Sequence, residues 1–168
     1  MVFTSNLSGR FEEIQNPFTG ELSNQPVGES VTDEERLAIL GVIEPVKEFG
    51  PDEIGSYGVK FPDGSSLELF FDDLETSGAF RTGMLALRQY SIEITEFIYQ
   101  LAKVGNLVIQ IGPESNGVVM SDVVAQRVGG RWESITVVGS PANLHILIES
   151  SFNDWAAYRD RVRDELGE

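Results

Sequence analysis

The chain contains no cysteine, which removes disulfides, thiolate metal sites and cysteine nucleophiles together. It contains a single histidine, His145, so no histidine pair can hold a metal. A Ser-His-Asp triad would have to use that one residue. It lies beside the apolar run Ile146-Leu147-Ile148, and no G-x-S-x-G elbow occurs anywhere. Its expected place is a hydrogen-bonded position at the edge of a core. Neither G-x-G-x-x-G nor G-x-x-x-x-G-K-[ST] is present, so no glycine-rich phosphate loop can be read. No stretch approaches the ~18 apolar residues of a membrane helix. The opening residues MVFTSNLSGRFEE lack the basic and apolar regions of a secretory signal. The expectation is a cytoplasmic protein without a cofactor or a membrane partner.

Positive charge is also scarce. Twelve Lys and Arg stand against 27 Asp and Glu, a net charge of −15. Residues 1–80 hold 4 basic and 16 acidic residues, a balance of −12, and residues 81–168 hold 8 and 11, a balance of −3. A nucleic-acid binder concentrates positive charge, because phosphate neutralisation supplies most of its affinity. Direct DNA or RNA binding is therefore disfavoured, as is adhesion to an anionic membrane. Two readings of the acidity remain: solubility, or attraction of a basic protein.

What is present is best specified between Thr82 and Gly112. Met84, Leu85 and Leu87 form a short apolar run, and Ser91 stands as an N-cap with Glu93 in the first turn behind it. Ile94, Phe97, Ile98, Leu101 and Ala102 recur at the spacing of a helix packed on a core. Gly105 then stands at the expected left-handed C′ position, and Leu107-Val108-Ile109 begins a strand.

The rest divides around this unit. Residues 1–30 predict a loosely ordered segment or an edge hairpin turning at Asn16-Pro17-Phe18-Thr19-Gly20. Thr32-Asp33-Glu34-Glu35 fits a capping box that opens a helix with Leu37, Ile39, Leu40 and Ile43 on its apolar side. Pro45 ends or kinks it. Tyr57, Val59 and Phe61 alternate into Pro62-Asp63-Gly64, and Leu67, Leu69 and Phe71 alternate out again, the pattern of a hairpin. Ser121-Asp122 suits a short helix through Arg127, and Ile135, Val137 and Val138 a last strand. Ser140-Pro141 opens a helix to about Glu149. Phe152, Trp155, Tyr158, Val162 and Leu166 then predict a terminal helix over 152–166. The whole is expected to be α+β: one domain over 31–168, its mostly antiparallel sheet covered on one face by about three helices.

Candidate chemistry is thin. Asp72, Asp73 and Glu75 form the densest carboxylate group, just past a strand end, where sites are common. Hard oxygens suit Mg²⁺ or Ca²⁺, so a metal-dependent hydrolase on these three is one expectation, although the spacing of a Ca²⁺-binding loop is missing. Trp132, beside Arg131, reads either as an exposed anchor or as a ring closing the end of the sheet. The favoured expectation is a non-enzymatic module that binds a basic protein through its acidic half. Its candidate residues are Glu34, Glu35, Asp52, Glu53, Asp72, Asp73 and Glu75, with Trp132. An immunity or inhibitor protein for a cationic effector is one role of that kind.

Overall fold

Ten strands and four helices can be traced in the computed structural model, which describes residues 2–4, 11–15, 22–26, 31–53, 55–71, 74–76, 80–87, 90–111, 116–128 and 132–151. The strands are β1 (Val2–Thr4), β2 (Phe11–Gln15), β3 (Leu22–Pro26), β4 (Lys47–Phe49) and β5 (Ser56–Lys60). They continue as β6 (Ser66–Phe70), β7 (Thr82–Ala86), β8 (Val108–Gln110), β9 (Asn116–Val119) and β10 (Ser134–Val137). The helices are α1 (Asp33–Ile43), α2 (Ile92–Val104), α3 (Asp122–Val128) and α4 over 141–151. The predicted helix over 152–166 lies outside the described residues, as do Asp72 and Asp73.

Eight strands form one sheet in the order β10-β9-β8-β1-β7-β6-β5-β4, and β2 with β3 forms a separate two-stranded sheet. Only β9 and β10 pair in parallel, across the crossover made by α3; every other neighbouring pair is antiparallel. β7 and β8 both run antiparallel to β1. They are thus parallel to each other, with α2 crossing over a strand from the start of the chain. The hairpin expected within residues 1–30 is seen as the antiparallel pair β2–β3, with its turn outside the described residues, whereas β1, for which no strand was expected, sits in the middle of the sheet. Three residues with no alternation carry too little periodicity to announce a strand.

Local chemistry explains most of the elements. Thr32 accepts from the Glu35 N–H at 3.2 Å while the Glu35 carboxylate accepts from the Thr32 N–H at 2.8 Å, a complete capping box. α1 stops at Ile43 and passes through a single 3-10 turn, Glu44–Val46, that contains Pro45. In α2 the predicted stripe is buried, with Ile94, Ile98 and Leu101 wholly inaccessible and the Phe97 ring edge-on to Phe61 at 5.3 Å. Burying one such side chain contributes about 1.5–3 kcal/mol. The β5–β6 hairpin pairs Tyr57 with Leu69 and Val59 with Leu67, and Gly64 supplies the positive φ, +84°, that its turn requires.

Two expectations need correction. Leu37 is 59% exposed, and of the expected apolar side α1 buries only Ile39 and Ile43. The left-handed residue after α2 is Asn106 (φ 48°), and Gly105 is not left-handed. Gly105 is required for space, because a Cβ there would lie 2.7 Å from Ile39 Cδ1, where α1 crosses α2. Three helices cover one face of the antiparallel sheet, as expected, and a fourth is added to them. Ile109 and Val118 point into the main core with α1, α2 and α4, whereas their neighbours Val108 and Val119 pack with Val124 and Val128 of α3. α3 therefore covers the opposite face, and only at the β8–β10 end.

Candidate functional site

Three segments that carry Glu34, Glu35, Asp52, Glu53 and Glu75 are linked by hydrogen bonds to main-chain groups. The turn before β5 is closed by Asp52, whose carboxylate accepts from the Ser56 N–H at 2.8 Å, an arrangement that short acidic side chains favour in turns. The Phe71 N–H then donates to the Gly55 carbonyl at 3.0 Å, joining the end of β6 to that turn. Arg36 completes the set from α1. Its guanidinium donates to the Leu74 carbonyl at 3.2 Å and to Asp33 at 3.3 Å. The first turn of α1, the 51–55 turn and the 74–76 loop are thus held as neighbours.

Individual carboxylates at this acidic end have different work. Glu34 and Glu53 are exposed, and among the described residues no hydrogen bond or ion pair engages their side chains. Glu35 is committed to structure, since beyond the capping box its Oε1 accepts from Asn106 Nδ2 at 2.6 Å, pinning α1 to the end of α2. Glu75 is exposed and accepts from the Tyr57 hydroxyl at 3.2 Å. Burial of the phenol first, and the Glu75 charge and hydrogen bond next, push the Tyr57 pKa upward. Glu75 is therefore the only member of the predicted metal trio that can be placed, with one oxygen already engaged. Among the described residues, no group of three or more His, Asp or Glu side chains converges as a metal site.

Trp132 stands apart from the acidic end. It packs against the Val108, Val119, Val124 and Val128 cluster. Its ring lies over Gly117, where a Cβ would fall 3.0 Å from it. The indole Nε1 is buried, with no hydrogen-bond partner among the described residues. This is a side chain closing the end of the sheet.

Two features were not foreseen. The first is the outer face of β4–β7, which no described helix covers. There Phe49 lies over Gly58 so closely that a Cβ would sit 2.0 Å from its ring, and Met84 is 49% exposed. A groove of about 380 Å³ runs between Glu48, Phe49, Ser66, Glu68 and Ala86. Phe49 belongs to a three-residue edge strand, too short for alternation to reveal. The second is the seam between α2 and α4. The Tyr90 hydroxyl donates to the His145 carbonyl, and the Tyr90 and His145 rings stack at 4.5 Å. His145 is thus at the core edge and hydrogen-bonded, but its partners come from residues 50 or more positions away.

No helix among the described residues is long and apolar enough to cross a membrane. Comparison with protein-family models, with curated proteins and with solved structures finds no match to this chain.

Proposed function

We propose that the protein is a non-enzymatic binding module whose acidic end engages a basic protein. One observation supports this above the others. The Phe71–Gly55 and Arg36–Leu74 hydrogen bonds gather Asp33, Glu34, Asp52, Glu53 and Glu75 from three segments onto one end, although the chain could have dispersed them for solubility. Arg36 is the cation at their centre, and Asp33 and a carbonyl already hold it. The field of such an end speeds encounter with a positively charged surface and is screened by salt, with a Debye length of ~8 Å at physiological ionic strength. The adjoining open face of β4–β7 offers apolar area, which a lasting interface needs at its centre. Inhibition of a cationic effector, as by an immunity protein, is a role that fits this chemistry, and an adaptor in an assembly is another.

Affinity capture from the native organism, followed by mass spectrometry, identifies the partner. Association is then timed by stopped flow. Charge reversal of Glu34, Glu53 and Glu75 together should slow association roughly tenfold or more at low salt and flatten its salt dependence. An unchanged on-rate, or a partner bound to the carboxy-terminal half, refutes the proposal.

A further inference from the structure

We propose that the cleft between α2 and α4 is a binding site for a small, largely apolar molecule carrying one O–H or N–H donor, with His145 Nε2 as the acceptor. This site uses none of the residues of the acidic end. The cleft encloses about 310 Å³, at the lower end of the ~300–1,000 Å³ typical of small-molecule sites. Its walls are Ile92, Pro141, Ala142 and Ile146, with His145 and Thr95 contributing the polar atoms and Glu96 at the rim. Ile92 and Ile146 are 65% and 64% exposed, the two most exposed large apolar side chains among the described residues. Single exposed apolar residues need no explanation; two lining one cleft, beside the protein's only imidazole, suggest a surface that is covered in use.

The imidazole is held in one orientation and one tautomer. The Thr95 hydroxyl has a single proton and donates it to the Ser91 carbonyl at 3.0 Å. His145 Nδ1 lies 3.1 Å from the Thr95 hydroxyl oxygen, so Nδ1 carries the ring proton and donates to it. In the neutral ring Nε2 is then the bare lone pair. No described group bonds Nε2, whereas Nδ1, the ring face and the backbone carbonyl are all engaged by Thr95 and Tyr90. Thr95 is itself 1% exposed on the otherwise apolar face of α2. A buried hydroxyl is costly unless paired, and here it orients the ring. Of the polar side chains lining the cleft, Thr95, His145 and Glu96, the first is engaged by Ser91 and His145, which leaves two acceptors, Nε2 and the Glu96 carboxylate, and no cation among the lining residues. That arrangement rejects anions and selects a donor on an apolar body, such as an alcohol, a phenol or an indole.

The sole histidine makes the test clean, because its ring ¹⁵N resonances need no assignment. Long-range ¹H–¹⁵N spectra in mildly alkaline buffer should show a protonated Nδ1 and a pyridine-type Nε2. Titration with phenol and with indole should then move Nε2 and the methyl groups of Ile92 and Ile146 together. Toluene, equal in shape to phenol but without a donor, should bind about five- to tenfold more weakly, the worth of one hydrogen bond. His145→Phe keeps the ring against Tyr90 and the backbone acceptor for its hydroxyl but has no lone pair, and should weaken phenol to the level of toluene. A protonated Nε2, equal affinity for phenol and toluene, or no response of His145 to millimolar probes would each overturn the proposal.

Discussion

At the acidic end, Glu34, Glu53 and Glu75 are exposed, and the groups that organise them are main-chain amides and one arginine. At the seam between α2 and α4 the proportions are reversed. Thr95 is buried, His145 is half-buried, and side chains from both elements fix each other. The first arrangement acts at long range through net charge, so moving any one carboxylate by an ångström changes little. The second acts through directed hydrogen bonds in a dry setting, where a misplaced group loses the interaction entirely. An acidic end suits a partner selected by its field, and a tautomer-fixed ring suits a ligand selected by its shape. The same helix, α2, serves both ends. Its last turn is held to α1 through Asn106 and Glu35, and its first turn carries Ser91 and Thr95.

The largest expected effect tests whether α2 is the rigid element that both regions depend on. Phe97 is 6% exposed and edge-on to Phe61 of the hairpin side. Phe97→Ala should cost on the order of 3–5 kcal/mol in urea unfolding, while Glu96→Ala, one residue away and exposed, should lie within about ±0.5. Equal costs would mean that the buried face of α2 is misassigned, and the comparison of the two regions would lose its common frame.

A smaller effect separates structural from functional carboxylates within the acidic end. Glu35 closes the capping box and accepts from Asn106, so Glu35→Ala should lose about 1–2 kcal/mol. Its neighbour Glu34 makes no such contact, and Glu34→Ala should leave stability within about ±0.5 kcal/mol while slowing partner association. Denaturant midpoints and association rates of the two variants check the division. If Glu35→Ala slowed association more than Glu34→Ala without destabilising, the roles assigned here would be exchanged.

The acidic half could be read from the sequence because charge is additive and needs no coordinates, and its helix start was legible because Thr32 and Glu35 lie three residues apart. The β5–β6 hairpin and α2 were legible for the same reason, since alternation and a 3.6-residue period are local patterns. What escaped depends on partners far along the chain. Gly105 looked like a conformational glycine, and only the crossing of Ile39 shows that it is a steric one. Phe49 lies in a three-residue strand, and its place follows only from Gly58 beneath its ring. The seam joins Tyr90 and Thr95 to His145 across 50 or more residues, and no spacing rule predicts such a pair. Trp132 reads from sequence as an anchor or as a ring closing the sheet, and only the fold shows that it packs, half-buried, on the α3 cluster.

The smallest effect concerns Tyr57, the point where the acidic end touches the core. Its residue is 1% exposed, yet its hydroxyl reaches the surface carboxylate of Glu75. Burial and that neighbouring charge raise its pKa. A phenol whose pKa is raised on folding favours the neutral form, so its contribution is fully present below the unfolded value of ~10. The contribution is lost as pH climbs past that value towards the folded one. Tyr57→Phe keeps the ring and removes the titrating group. At neutral pH it should lose only about 0.5–1.5 kcal/mol, the net worth of one hydrogen bond. Above pH ~10 the variant should fall off less steeply than the parent protein, because it no longer binds a proton more tightly when folded. Tyr90 is also raised, but it is common to both proteins and cancels in the difference. Urea unfolding of the pair in steps from neutral to alkaline pH gives the two profiles directly. Parallel profiles would show that neither burial nor the Glu75 charge raises the Tyr57 phenol on folding.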